Sequence, residues 1–547
     1  MKGSEHIMSE QDPTTIRKID WKSVFPFIHL FRGFRLAIDP SKLVLALAAL
    51  LMLYVGGRLL DAIWPSHSRA MNNEIREFET GRFADFHQAR KNAAQARYDE
   101  LKQALRSVDK PVDGDADDVA YVLKLERDKR ITEARDSYAK LPDDQKTDAA
   151  AKTRDDSIAS TYRQYGMGLK RLESLRGEGL FIHFIGYQID QIDAAASAAV
   201  ALDFTGPNGV GISLYRFFIV APQWAITQHY IYFTVYFAIY VLLLAICGGA
   251  ISRIAAVQVA RDEKISVRQA LRFSTGKVLS FIFAPLIPII IIMVIALVLG
   301  VLSLFMSLGV VGGIWSIVVG ALFILALLAG LVMTLTALGL LGGGHLMYPT
   351  IAVEGSDSFD AVSRSFSYLY ARPWQMIFYS LVALVYGAIT YLFVRFFLYL
   401  LLSLTHAGVG MFMWADAADG TSLMDSMWPT PESMMNLSFD PNFTALGFMH
   451  TIGAWLIALW VYLAIAMLGA YAISLYFSSS TIIYYLMRKE VDATAMDEVY
   501  LEPNDDDFVE QAPEVAPIPA TPASSEAPTE PTKPAEPAPE SKPDNNP

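Results

Sequence analysis

Four cations, Arg261, Lys264, Arg268 and Arg272, recur three or four positions apart between residues 260 and 277. On a helix they share one face, opposite Val267, Ala270, Leu271 and Ser274. Such a stripe can hold the phosphates of anionic lipid or the acids of a protein partner, each cation contributing about 1 kcal/mol near a charged membrane surface. A second group begins at Asp357 and Asp360, three apart at the head of an amphipathic pattern formed by Phe359, Val362, Phe366 and Leu369. Carboxylates there accept the free backbone N–H groups of a helix N-terminus and complement its dipole. Arg372-Pro373 ends that helix, because proline disfavours a helical residue before it, and Trp374 is placed to anchor at headgroup level. Arg395 stands alone in the apolar run YLFVRFFLYLL. An intramembrane cation marks a functional pathway by default, and here two readings are open: it lines an anion path, or it snorkels to the surface.

Other chemistry is sparse. No GxxxxGK[ST] phosphate loop, HExxH, GxSxG or CxxC occurs, so neither nucleotide hydrolysis nor a hydrolase centre has a candidate nucleophile and base. Gly342-Gly343-Gly344-His345 imitates a phosphate-cradling loop, but no strand precedes it, and close helix packing is the preferred reading. Met424 and Met427 are soft thioethers that suit Cu(I). Interspersed Phe412, Trp414 and Trp428 favour packing instead. His229 and His450 read as interfacial hydrogen-bonders. No enzyme activity, cofactor, metal or nucleic-acid partner is expected.

The elements that must position these residues are membrane spans. The chain is 53% hydrophobic and 18% charged, against about 25% charged in soluble domains. Apolar stretches of about 20 residues or more lie around 43–63, 227–249, 278–305, 314–341, 376–401 and 446–473. The first lies too far from the start, and lacks the small-residue site, for a cleaved signal peptide. The single cysteine, Cys247, excludes an intramolecular disulfide. Lys and Arg crowd before the first span and after the second, fourth and sixth, whereas 306–313 and 406–445 have none. By the positive-inside rule both ends are cytoplasmic. The net charge of −12 belongs to a tail: fifteen acids and two lysines follow from Glu490, and its Pro/Glu/Ala-rich composition reads as disordered.

Between the first two spans Met71, Ile75, Phe78, Phe86, Ala94, Tyr98, Leu101 and Leu105 fit one helical stripe. Ile158, Tyr162, Tyr165, Leu169 and Leu172 step 4-3-4-3, the spacing of a coiled-coil seam. Turn compositions at 110–114 and 141–144 divide this region into about three helices, and Gly179–Phe204 turns apolar, as if returning to the membrane surface. The expectation is an all-α polytopic membrane protein of about six spans. Its parts are an amphipathic N-terminal segment (1–41), a first span (42–64), a periplasmic coiled-coil-like helical domain (65–224), a membrane domain (225–489) and the tail (490–547). Residues 260–277 and 348–374 share a loose pattern of alanines, acids and a cationic end before a span, read either as an internal repeat or as convergence on the same interfacial physics.

The stretches GGAISRIAAVQVARDEKISVRQALRFS, FAPLIP, LMYPTIAVEGSDSFDAVSRSFSYLYARPW, YGAITYLFVRFF and IIYYLMRKEVDAT resemble a family of uncharacterised multi-pass membrane proteins of planctomycete bacteria. That resemblance implies a bacterial inner-membrane location and no activity. The polar cassette around 348–374 is also loosely similar to loops in membrane domains of bacterial glycerophosphodiesterases, without a catalytic residue. An amphipathic segment before the first span, a large domain after it and a short cytoplasmic helix after the second resemble ATP-binding-cassette exporter permeases, whose helix contacts an ATPase subunit. The expected function is therefore non-enzymatic organising or sensing, with lipid and protein partners on both sides. The alternative is a permease of an ATP-driven exporter.

Overall fold

A computed structural model describes residues 25–64, 69–71, 73–81, 116–175 and 178–500, with isolated positions 88, 92 and 96. The stripe expected from Phe86 to Leu105, the turn at 110–114 and the acidic tail beyond Tyr500 lie outside the described residues. Those described are helical, with isolated bridges such as Ala70 to Glu178 and no strand among them.

Six helices are long and apolar enough to cross a bilayer: Pro40–Ile63, Tyr230–Arg261, Val278–Met306, Phe323–Glu354, Pro373–Gly410 and Phe448–Asp492. The chain is a multi-pass membrane protein. Six crossings put the described residues between 64 and 229, with 307–322 and 411–447, on one side, here the domain face, and both described ends on the other, the terminal face. Several spans outrun the hydrocarbon: 45 residues at 1.5 Å each make the sixth roughly 68 Å long, against about 30 Å of bilayer core. The excess lies at the terminal face and is packed like a soluble core. Every residue from Gly249 to Val259 is buried, as is every residue from Met347 to Val353, around Ile482 to Met487 of the sixth span.

Helices outside the spans are numbered in chain order. On the domain face α1 (Glu74–Thr80) is followed by α2 (Ala116–Ala139) and α3 (Asp148–Leu175). The turn between α2 and α3 falls at Pro142 and Asp143–Gln145, where the composition places it. Their contact is less an apolar seam than arginine on tyrosine: Arg127 over Tyr162, Arg130 over Tyr165 and Arg154 over Tyr138, at 5.4, 5.7 and 4.5 Å. α4 (Leu180–Val200) and α5 follow; α5 joins Val210–Tyr215, a single π turn Arg216–Val220 and Ala221–Gln228.

On the terminal face α6 (Val267–Gly276) and α7 (Ser358–Ala371) precede the third and fifth spans. The same local order occurs twice. A span ends at a left-handed residue, Asp262 or Gly355; a side chain caps the next helix, Ser266 Oγ accepting from Gln269 N or Asp357 from Asp360 N; and Lys277 or Arg372 leads into the following span. The third and fourth spans bury residues mainly near this face: Phe281, Ala284 and Pro288 early in one, Thr336, Gly339 and Gly343 late in the other.

Candidate functional site: an arginine-lined cleft on the terminal face

The cleft is built around Glu354, the residue that closes the long uncharged run of the third and fourth spans. Arg364 of α7 approaches its carboxylate at 2.9 Å and Arg488 of the sixth span at 3.5 Å, while Tyr484 donates its hydroxyl to it. Burial disfavours the charge on Arg364, but the Glu354 carboxylate together with Tyr368 and Tyr484 outweighs it and raises the guanidinium pKa. Nearby, Tyr368 donates to Asp492. Burial, with that carboxylate, pushes the Tyr368 phenol up to about 12.

A strap, residues 493–500, closes one side. The sixth span stops where Ala493 turns left-handed, at φ 54°. Met496 and Val499 pack onto the core, Tyr500 N donates to Val353 O at 2.8 Å, and Arg488 donates to Glu498 O at 2.9 Å. Beneath it lies Arg253, buried in the middle of a mostly apolar helix. Its guanidinium donates to Ala352 O and Tyr500 O, each at 2.7 Å, and stacks 4.4 Å over Phe273. Lys277 donates to Gly355 O at 2.7 Å, and a Cβ at Gly355 would come within 2.6 Å of the Tyr500 ring. The resulting cleft, about 550 Å³, is lined by Arg261, Glu354, Arg364, Arg488, Asp497 and Glu498 among others. Arg261 faces it with no acidic partner among the described residues. The arrangement can bind charge and hold a peptide segment through its carbonyls; it presents no nucleophile with a base.

A second buried polar group lies where the first span begins. Asp39 caps it, accepting from Ser41 N at 3.0 Å, and also accepts from Gln258 Nε2 at 2.9 Å. Gln258 in turn accepts from the fully buried Lys42 at 2.7 Å. Burial would raise the Asp39 carboxyl, but the bonds from Gln258 and Ser41 and the charges of Lys42 and Lys264 hold it below its usual value.

The four-cation stripe is divided, because the helix breaks at Asp262 instead of running from Ala260 to Lys277. Arg261 ends the second span and lines the cleft; Lys264 sits in the loop 3.6 Å from Asp39; only Arg268 and Arg272 share the exposed face of α6, whose other face buries Ala270, Phe273 and Ser274. Asp357 caps α7, Asp360 occupies its first turn, and Trp374 is 81% exposed at the start of the fifth span. The buried face of α7 is Ala361, Val362, Ser365, Tyr368 and Leu369, leaving Phe359 69% exposed. α7 is wedged between spans: a Cβ at Gly339 of the fourth span would lie 2.6 Å from the Phe366 ring, and one at Gly343 3.0 Å from Ser365 O. The glycines before His345 therefore make room for a helix.

Arg395 lies at the opposite face, 2% exposed. It donates to Asp193 of α4 at 2.6 Å and to the carbonyls of Met434 and Met435 at 2.8 Å, so it ties a helix and a loop to the fifth span. Burial lifts the Asp193 carboxyl above its usual range, although Arg395 pulls it down. Met424 and Met427 are buried in different apolar clusters. On the same face Asp61 accepts from Phe181 N at 3.0 Å and Tyr232 OH at 2.7 Å, and buried Glu74 accepts from Met71 N at 2.8 Å and Trp224 Nε1 at 3.3 Å. Arg253, Glu354, Arg488 and Lys42 escape a reading by motif. The available signal was position: Arg253 and Lys42 sit inside or against apolar helices, where counting them as topology signals hides their burial.

Comparison of the chain with protein-family models, curated proteins and solved structures finds no match in any of the three.

Proposed function

We propose that the protein is a non-enzymatic organiser or sensor of the bacterial inner membrane that couples partner binding on its domain face to the charged cleft on its terminal face. The supporting observation is the sixth span. Near one end Trp455 stacks on Phe443 of the domain-face loop at 5.2 Å; at the other Tyr484 and Arg488 bind Glu354 and the strap. One unbroken helix thus joins the domain-face loop to the charged cleft. In this reading the domain face is periplasmic, the termini are cytoplasmic as the Lys and Arg bias directs, and the exposed Arg268 and Arg272 meet anionic lipid or a cytoplasmic protein.

The test is hydrogen exchange on the full chain in nanodiscs after Asp193→Asn, which loosens the domain-face joint without touching the cleft. Coupling requires faster exchange in residues 493–500. Loss of protection confined to α4 and residues 430–440 overturns it.

A second reading, the permease subunit of an ATP-driven exporter, draws on α6, which grips the span ends by one face and presents Arg268, Gln269 and Arg272 on the other. Copurification of an ATPase subunit from native membranes, lost on Arg268→Glu with Arg272→Glu, supports it.

A further inference from the structure

α5 is inside out for a helix in water. Leu214, Tyr215, Phe218, Ile219 and Ile226 form one stripe at helical spacing and are all exposed, Phe218 by 65% and Ile226 by 60%. The opposite face buries Ser213, Val220, Ala221, Trp224 and Ala225. A helix against water puts its large apolar side chains inward and polar ones outward. Here Trp224 is buried, but five other large apolar groups point out. The helix carries one charge, Arg216, which turns out of the stripe to Glu79 of α1 at 2.8 Å.

Its neighbours fix its level. The first turn of α4 is set between the first and second spans: a Cβ at Gly57 would overlap the Phe181 ring, which lies 5.7 Å from Tyr54 and 5.5 Å from Tyr236, while Phe184 lies 5.0 Å from Phe233. Twelve residues on, roughly 18 Å along a helix, Asp193 meets Arg395 of the fifth span. A helix fixed at both points crosses between spans within their domain-face halves. α5 packs back along it, Gln188 of α4 donating to Phe217 O at 3.1 Å. The chain runs from α5 directly into the second span, where Tyr230 and Ile231 are exposed; Leu59 and Ile63 at the end of the first span, and Leu202 and Phe204 of the connecting turn, are exposed as well.

We propose that α5, with the turn at 202–204, is an in-plane helix seated in the hydrocarbon of the domain-face leaflet, its stripe covered by lipid acyl chains. An uncharged face of large apolar groups, leading directly into a lipid-facing span and backed by a polar anchor, is the pattern of an interfacial helix held by apolar contact. Its lipid contact is independent of headgroup charge, unlike that of the α6 cations.

The experiment places single spin-labelled cysteines at Phe218 and Ile226 in the full chain carrying Cys247→Ala, in phosphatidylcholine nanodiscs. Collision with oxygen is compared with collision with a water-soluble nickel chelate; labels at Leu297 of the third span and Tyr121 of α2 are the lipid and water references. Both test positions should match position 297, with oxygen favoured, and should not change when anionic lipid is added. Nickel access like that at position 121 overturns the proposal by placing the stripe in water. Shielding from both reagents overturns it by showing that protein covers the stripe. A label at Leu214, 40% exposed in the native chain, repeats the measurement should either variant fold poorly.

Discussion

Arg395 and Asp193, 202 positions apart in the chain, meet at 2.6 Å and tie the fifth span to a helix that starts beside the first. With the carbonyls of Met434 and Met435, three acceptors hold the guanidinium. Removing one partner of a fully buried ion pair costs about 3–5 kcal/mol, and with Asp193 29% exposed the loss here lies toward the lower end of that range. Arg395→Met should therefore lower the melting temperature in detergent markedly. Asp193→Asn, which keeps a hydrogen-bond acceptor, should cost less. Equal losses would show that the carboxylate charge carries the joint.

Arg253→Lys should free the strap. Lysine cannot reach both Ala352 O and Tyr500 O, and a lost charge-assisted hydrogen bond costs about 1.5–3 kcal/mol. Exchange of the Tyr500 amide, bonded to Val353 O, should accelerate about tenfold or more. Hydrogen-exchange mass spectrometry reads this directly.

Gly339→Leu should destabilise the fourth span against α7 by about 1–3 kcal/mol, the usual effect of overpacking, because the Phe366 ring already occupies the space. Gly330→Ala, in the same span with nothing within 4 Å of its added Cβ, should stabilise, by up to about 1 kcal/mol through helix propensity alone. Thermal unfolding of the pair separates packing from helix propensity.

Asp39 supplies a pH dependence whose sign is fixed. Its folded pKa lies below the ordinary 3.8, so the unfolded state binds the proton more readily. The stabilisation is complete above 3.8 and is lost as pH falls through the lower, folded value. The stability advantage of the wild type over Asp39→Asn should accordingly shrink as pH falls below 3.8.

Much of the architecture is legible from local pattern. Hydropathy marks the six spans, and Asp357 caps α7 because a carboxylate three residues before a free N–H has that geometry built in. The break at Asp262 is not legible, because the cation spacing continues through it while the chain turns left-handed. Phe359 and Phe366 share a predicted face, yet the glycine groove in the fourth span selects Phe366 and leaves Phe359 out, a choice made by a distant segment. The cleft itself depends on Arg253, Glu354, Arg488 and Tyr500 meeting across up to 247 positions of sequence, and no short window contains that information.

The third and fourth spans are gripped mainly at their feet, by α7 and the terminal-face core, while the first, second and fifth are cross-braced at the other face through Phe181, Asp193 and Arg395. Bilayer thickness then acts unequally on the molecule. A thinner membrane, which a long apolar helix answers by tilting, tips the hairpin of the third and fourth spans about its glycine-lined base while the braced spans keep their spacing, and the lever arm so formed ends at α7, one residue of which, Arg364, holds Glu354.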